Sequence, residues 1–170
     1  MKNNRFIAAY IVVLILQLIL TRYCQMGSVV YICLLPALML SLPTTWRTSV
    51  SLVLAFVSGF LVDALADGPL GLNTIAILPC ALLQKPIIKF FIDDILVERG
   101  YAFSFRQYGY VKIGVALIVE EFMFFIVYVV FDCAGVVSFG SCFVKVLVST
   151  LVSLVFGMVA TGVLSPRERR

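Results

Sequence analysis

"TSVSLVLAFVSGFLVDALADGPLGLNTIAILPCALL", residues 48–83, decides the fold of this chain. Two apolar runs flank the turn-forming string Asp67-Gly68-Pro69-Leu70-Gly71. Each run approaches the ~20 residues that a helix needs to cross a bilayer. Gly and Pro at the junction stop one helix and start the next. The stretch therefore reads as a membrane helical hairpin.

Composition extends that reading to the whole chain. Its 170 residues are 62% hydrophobic and only 13% charged, where soluble domains are about half apolar and a quarter charged. This is the profile of one integral membrane domain, all-α and polytopic. Six spans are predicted, at 6–21, 28–42, 48–66, 70–83 or longer, 112–131 and 139–164. The first reads as a retained helix, because no small-residue cleavage site follows it. Pro36 and Pro79 fall inside the two shortest spans and are expected to kink them, which implies a compact bundle.

Lysine and arginine set the orientation. With the N-terminus inside, eleven of the 13 basic residues fall on cytoplasmic segments and only Arg22 outside, with Lys145 left near the outer start of the last span. Both termini are then cytoplasmic and residues 67–71 external. The net charge of +4 is spread between apolar runs, so it signals lipid headgroups and not nucleic acid. Residues 84–111 form the longest connection. Their first part is amphipathic, and either lies in the cytoplasmic interface or continues the fourth span.

The chain has no His, which removes the commonest metal ligand and acid–base catalyst. Its five Cys form no C-x-x-C pair, so they read as small packing residues. Neither a metal site, nor a cofactor, nor a catalytic set is expected.

Ser51, Ala55, Gly59 and Asp63 recur every fourth residue and share one helix face. Ser149, Ser153 and Gly157 repeat the pattern in the last span. Such stripes allow close helix approach, either within the bundle or with a partner's span. Asp67 is placed to cap the fourth helix or to brace the turn, with Gly71 serving close backbone approach. Asp63 lies one turn deeper and needs a partner of its own. Lys145 is the one basic residue expected at similar depth. Glu120 and Glu121, midway through the fifth span, point about 100° apart on a helix. At least one of them is expected to be protonated, or to face a polar cavity or a partner.

The string Asp63-x-x-x-Asp67-Gly68-Pro69-Leu70-Gly71-Leu72-Asn73, at the end of a Gly-containing apolar helix, resembles the MreD family of rod shape-determining membrane proteins. The chain length, the six-span hydropathy and the basic C-terminal end are similar too. Members often carry His near the middle of the fifth span, where this chain has Glu120 and Glu121. The resemblance implies a non-enzymatic scaffold of the bacterial inner membrane. It binds the single-span protein MreC and so links MreB filaments to the peptidoglycan synthases of cell elongation. It also implies a fold similar to the substrate-binding subunits of energy-coupling-factor vitamin importers. A capture subunit of such an importer is the alternative function. The A-x-x-x-A docking pattern of those subunits is absent here: Val12 and Val13 follow four residues after Ala8 and Ala9.

Overall fold

The computed structural model describes residues 2–23, 30–65, 70–91, 109–133 and 139–164. Those residues are all-helical apart from short connections. They form α1 (Lys2–Tyr23), α2 (Leu35–Leu40), α3 (Thr48–Leu65), α4 (Leu72–Phe91), α5 (Tyr110–Cys133) and α6 (Phe139–Leu164). Five of the six helices are long and apolar enough to cross a membrane. Large apolar side chains cover their outer surfaces, among them Ile11 and Ile15 on α1 and Val53, Phe56 and Phe60 on α3. Buried Gln17, Asp63, Asn73, Gln84, Glu120 and Glu121 lie inside. Apolar groups outside and polar groups inside suit a hydrocarbon solvent. The chain is a multi-pass membrane protein.

α5 is the most enclosed span, with 56% of its apolar window buried, and α1 the least, with 17%. α5 packs against α4, α6 and α2, while α3 packs chiefly on α4 and α1 lies at the rim. Phe124 and Phe125 of α5 are wholly buried, and Phe125 meets Tyr31 edge-on.

The second pass departs from expectation. A span over 28–42 was predicted, yet residues 30–34 are not helical and α2 is only 6 residues long. Pro36 does not kink a helix there. It sits in the first turn of α2, where the missing N–H has no intrahelical partner to lose. The segment still crosses the bundle. The Tyr31 hydroxyl meets Asn73 at the start of α4, and the Leu42 carbonyl meets Gln84, about 16 Å further along α4 at helical rise. Trp46 then packs edge-on to Phe6 near the start of α1, at 6.3 Å between ring centres. At the opposite end, Arg22 of α1 reaches the Leu65 carbonyl of α3. Among the described residues, five helices are thus long and apolar enough to cross a membrane, and residues 30–42 run beside them as a partly irregular pass through the bundle.

The fourth helix runs on to Phe91, with Ile87 and Ile88 buried. Residues 84–91 therefore continue this span and are not a separate interfacial helix. Residues 92–108 lie outside the described residues.

Candidate functional site

The quoted motif folds into a polar node at one end of the bundle. Asp63 is in the last turn of α3 and only 3% exposed. Its carboxylate accepts five hydrogen bonds. They come from the backbone N–H groups of Gly71, Asn73 and Thr74 at 3.0–3.1 Å, the Asn73 amide at 2.9 Å and the Thr74 hydroxyl at 2.7 Å. The first turn of a helix has free N–H donors and a partial positive charge. A carboxylate set beside it from a neighbouring helix satisfies both. Asp63 therefore caps α4, the role expected of Asp67; Asp67, Gly68 and Pro69 lie outside the described residues.

Lys145 is not its partner. The Lys145 ammonium pairs with Asp132 of α5 at 2.6 Å, a correction that places the basic residue across the α5–α6 turn. The role of Gly71 also changes. Its φ is +94° and a β-carbon there would meet nothing within 4 Å. Glycine is required by the left-handed backbone and not by close approach. Leu72 is buried and Leu70 is exposed, so only the former anchors the turn to the core.

From Asp63 the node spreads through Asn73, whose side-chain oxygen accepts the Tyr31 hydroxyl at 3.0 Å. Tyr31 stacks on Tyr128 of α5, with rings 4.6 Å apart and 15° from parallel. The Tyr31 N–H donates to Ser149 of α6. One network joins α3, α4, α5, α6 and the irregular pass.

That pass exposes backbone groups at membrane depth, which hydrocarbon cannot satisfy. Side chains of other helices do so. Ser149 accepts the Tyr31 N–H at 3.1 Å, Ser153 the Cys33 N–H at 3.0 Å and Gln17 Oε1 the Leu34 N–H at 2.6 Å. Gln17 is itself held by donating to Thr21 at 2.8 Å. The register has a simple cause. Two residues of extended chain advance about 6–7 Å and four helical residues about 6 Å. A serine every fourth position on α6 thus matches every second N–H of the pass.

The small-residue stripes are consequently filled by the chain itself. Ser149, Ser153 and Gly157 face the irregular pass and α5. A β-carbon at Gly157 would stand 2.6 Å from Glu121 Oε1 and 3.5 Å from Ala37 Cβ. Ser51 and Ala55 are buried, and a β-carbon on Gly59 would lie 2.7 Å from the Thr74 Cα. Of the two alternatives left open for these stripes, the bundle's own packing fills the buried Ser51, Ala55, Gly59, Ser149, Ser153 and Gly157 positions.

Glu120 and Glu121 are both fully buried, and all four of their carboxyl oxygens lack a hydrogen-bond partner among the described residues. Glu121 Oε1 lies against α6, where a β-carbon on Gly157 would come within 2.6 Å of it. The Cys80 thiol donates to the Glu120 carbonyl at 3.5 Å. Among the described residues, no three of His, Cys, Asp and Glu gather as metal ligands.

Sequence reading missed Gln17, Tyr31, Gln84 and Tyr128. The signal for Gln17 was present, as an amide in the middle of an otherwise apolar span. The tyrosines carried none, since aromatics are ordinary in such helices. Comparison of the chain with protein-family models, curated proteins and solved structures returns no match.

Proposed function

We propose that this protein is a non-enzymatic scaffold of the bacterial cytoplasmic membrane, acting as MreD proteins do. It holds an MreC-like single-span protein and through it couples MreB filaments to the wall synthases, with both of its own termini cytoplasmic. The observation that carries this reading is the state of Asp63. The carboxylate of the motif that resembles MreD is saturated by five structural hydrogen bonds. It has no lone pair to spare for a substrate, and its work is to lock helices together. The charge bias of the basic residues supports the orientation.

The test is depletion of the protein in its native host, with co-purification of the MreC-like partner measured in parallel. Rod cells should round up, and the partner should be recovered with the full-length protein from detergent extracts. Unchanged cell shape together with no such partner would sink the proposal. Recovery with an ATPase pair instead would favour the importer subunit.

A further inference from the structure

α5 and α6 close on each other through two glycines. A β-carbon on Gly114 of α5 would stand 2.6 Å from the Met158 methyl of α6, and one on Gly157 of α6 would stand 2.6 Å from Glu121 Oε1 of α5. Each helix thus drops one long side chain into the other's notch. A methyl suits such a place and a carboxyl does not, because the other atoms nearest the Gly157 notch are Leu117 Cδ2 at 3.0 Å and Ala37 Cβ at 3.5 Å. Ser153 and Thr161, one turn to either side of Gly157, are engaged with backbone: Ser153 accepts the Cys33 N–H and Thr161 donates to the Gly157 carbonyl. Glu120 and Glu121 are both 0% exposed, and none of their four carboxyl oxygens has a hydrogen-bond partner among the described residues.

The titratable groups on the packed elements leave these carboxyls alone. Cys80 of α4 gives its thiol to the Glu120 carbonyl. Cys33 lies on the irregular pass, and Tyr31 and Tyr128 stack on each other. Lys85 and Lys89 of α4 and Lys112 of α5 lie toward one end of the bundle; Asp63 and the Asp132–Lys145 pair lie toward the other. We propose that Glu120 and Glu121 form a proton-binding site at the centre of the bundle, both carboxyls holding their protons at neutral pH, and that loss of the Glu121 proton parts α6 from α5. An unpaired carboxylate out of water costs far more than the neutral acid, and two adjacent carboxylates would repel each other as well. The carbon atoms lining the notch cannot coordinate a metal ion, so the proton is the ligand that fits. The O–H bond of Glu121 breaks by giving its proton to water or hydroxide, which reaches the enclosed carboxyl only as the notch opens. α6 is the side that yields, with 28% of its apolar window buried against 56% for α5. The closed form binds the proton, so acid closes the seam and alkali opens it.

The experiment uses the full-length protein purified in detergent. Its infrared spectrum at neutral pH should carry a carboxylic-acid carbonyl band above amide I. Glu120→Gln and Glu121→Gln should each remove one contribution to that band, and the double variant all of it. Melting curves show that each variant is folded; Glu121→Met, which mirrors Met158, replaces a Gln variant that is not. On titration to alkaline pH the band should fall, and maleimide labelling of Cys33, held to α6 through Ser153, should accelerate with it. Thiol reactivity rises with pH in every variant, so the step is read as the difference between the unaltered protein and Glu121→Gln. Absence of the acid band at neutral pH overturns the site, as does its persistence in the double variant. A band that added sodium or potassium abolishes at constant pH overturns the proton as the ligand. Identical labelling profiles in the unaltered protein and Glu121→Gln overturn the opening of the seam.

Discussion

Replacing Asp63 probes the node most directly. Its Oδ1 accepts two of the five hydrogen bonds, from the Asn73 N–H and amide; Oδ2 accepts three, from the Gly71 N–H, the Thr74 N–H and the Thr74 hydroxyl. Asp63→Asn keeps one acceptor oxygen. Placed at the Oδ1 position, the amide nitrogen confronts two donors. Placed at Oδ2 it confronts two backbone donors, while the Thr74 hydroxyl can turn and accept. Either way about two bonds are lost. At about 0.6 kcal/mol for a typical intramembrane bond and about 1.5 for a charge-assisted one, Asn costs roughly 1–3 kcal/mol. Asp63→Leu loses all five and uncaps α4, at roughly 3–8 kcal/mol by the same values. Cys33 and Cys80 are fully buried, so a thiol-reactive fluorophore reports unfolding of the purified protein on heating. The melting temperature should fall in the order wild type, Asn, Leu. Equal melting of all three would refute the capping role. Loss of function in both variants at unaltered melting would show that the carboxylate has a task beyond structure.

Further tests address the other close contacts. Gly59→Ala should already destabilise by about 1–3 kcal/mol through overpacking, because its β-carbon would press on the Thr74 backbone, which cannot yield as a flexible side chain would; wild-type melting would show that α3 and α4 lie further apart. Gly71→Val should cost more than Gly71→Asn, since Asn tolerates positive φ better; equal melting of the two would place the strain elsewhere. Ser153→Ala leaves the Cys33 N–H without its acceptor and should cost about 1–3 kcal/mol, read as a lower melting temperature, with Ser149→Ala similar; no change would mean the irregular pass finds other acceptors. Glu120→Leu removes a buried carboxyl that lacks a partner among the described residues and should raise the melting temperature, by the roughly 1–3 kcal/mol that an unsatisfied buried group costs; a lower one would reveal a bound group or ion on that carboxyl.

The sequence by itself determined the solvent and the faces that turn inward. Those follow from local properties. The length of an apolar run measures a bilayer, and a stripe of small residues at every fourth position must face something close. The hairpin of residues 48–83 was readable because Gly, Pro and Asp act on their own neighbours. Partner choice was not readable, because it depends on which atoms meet across tens of residues. Asp67 was the expected cap, and the packing of α3 against α4 brings the Asp63 carboxylate to the first turn of α4. Lys145 was matched by depth, but the short connection between α5 and α6 brought it to Asp132. Residues 28–42 are apolar enough for a helix, and nothing local forbids one. The tertiary structure leaves them partly irregular because Gln17, Ser149 and Ser153 on distant helices supply the hydrogen bonds that a helix would have made internally. A backbone can forgo its own ladder only when other side chains replace it, and the residues that do so lie elsewhere in the chain.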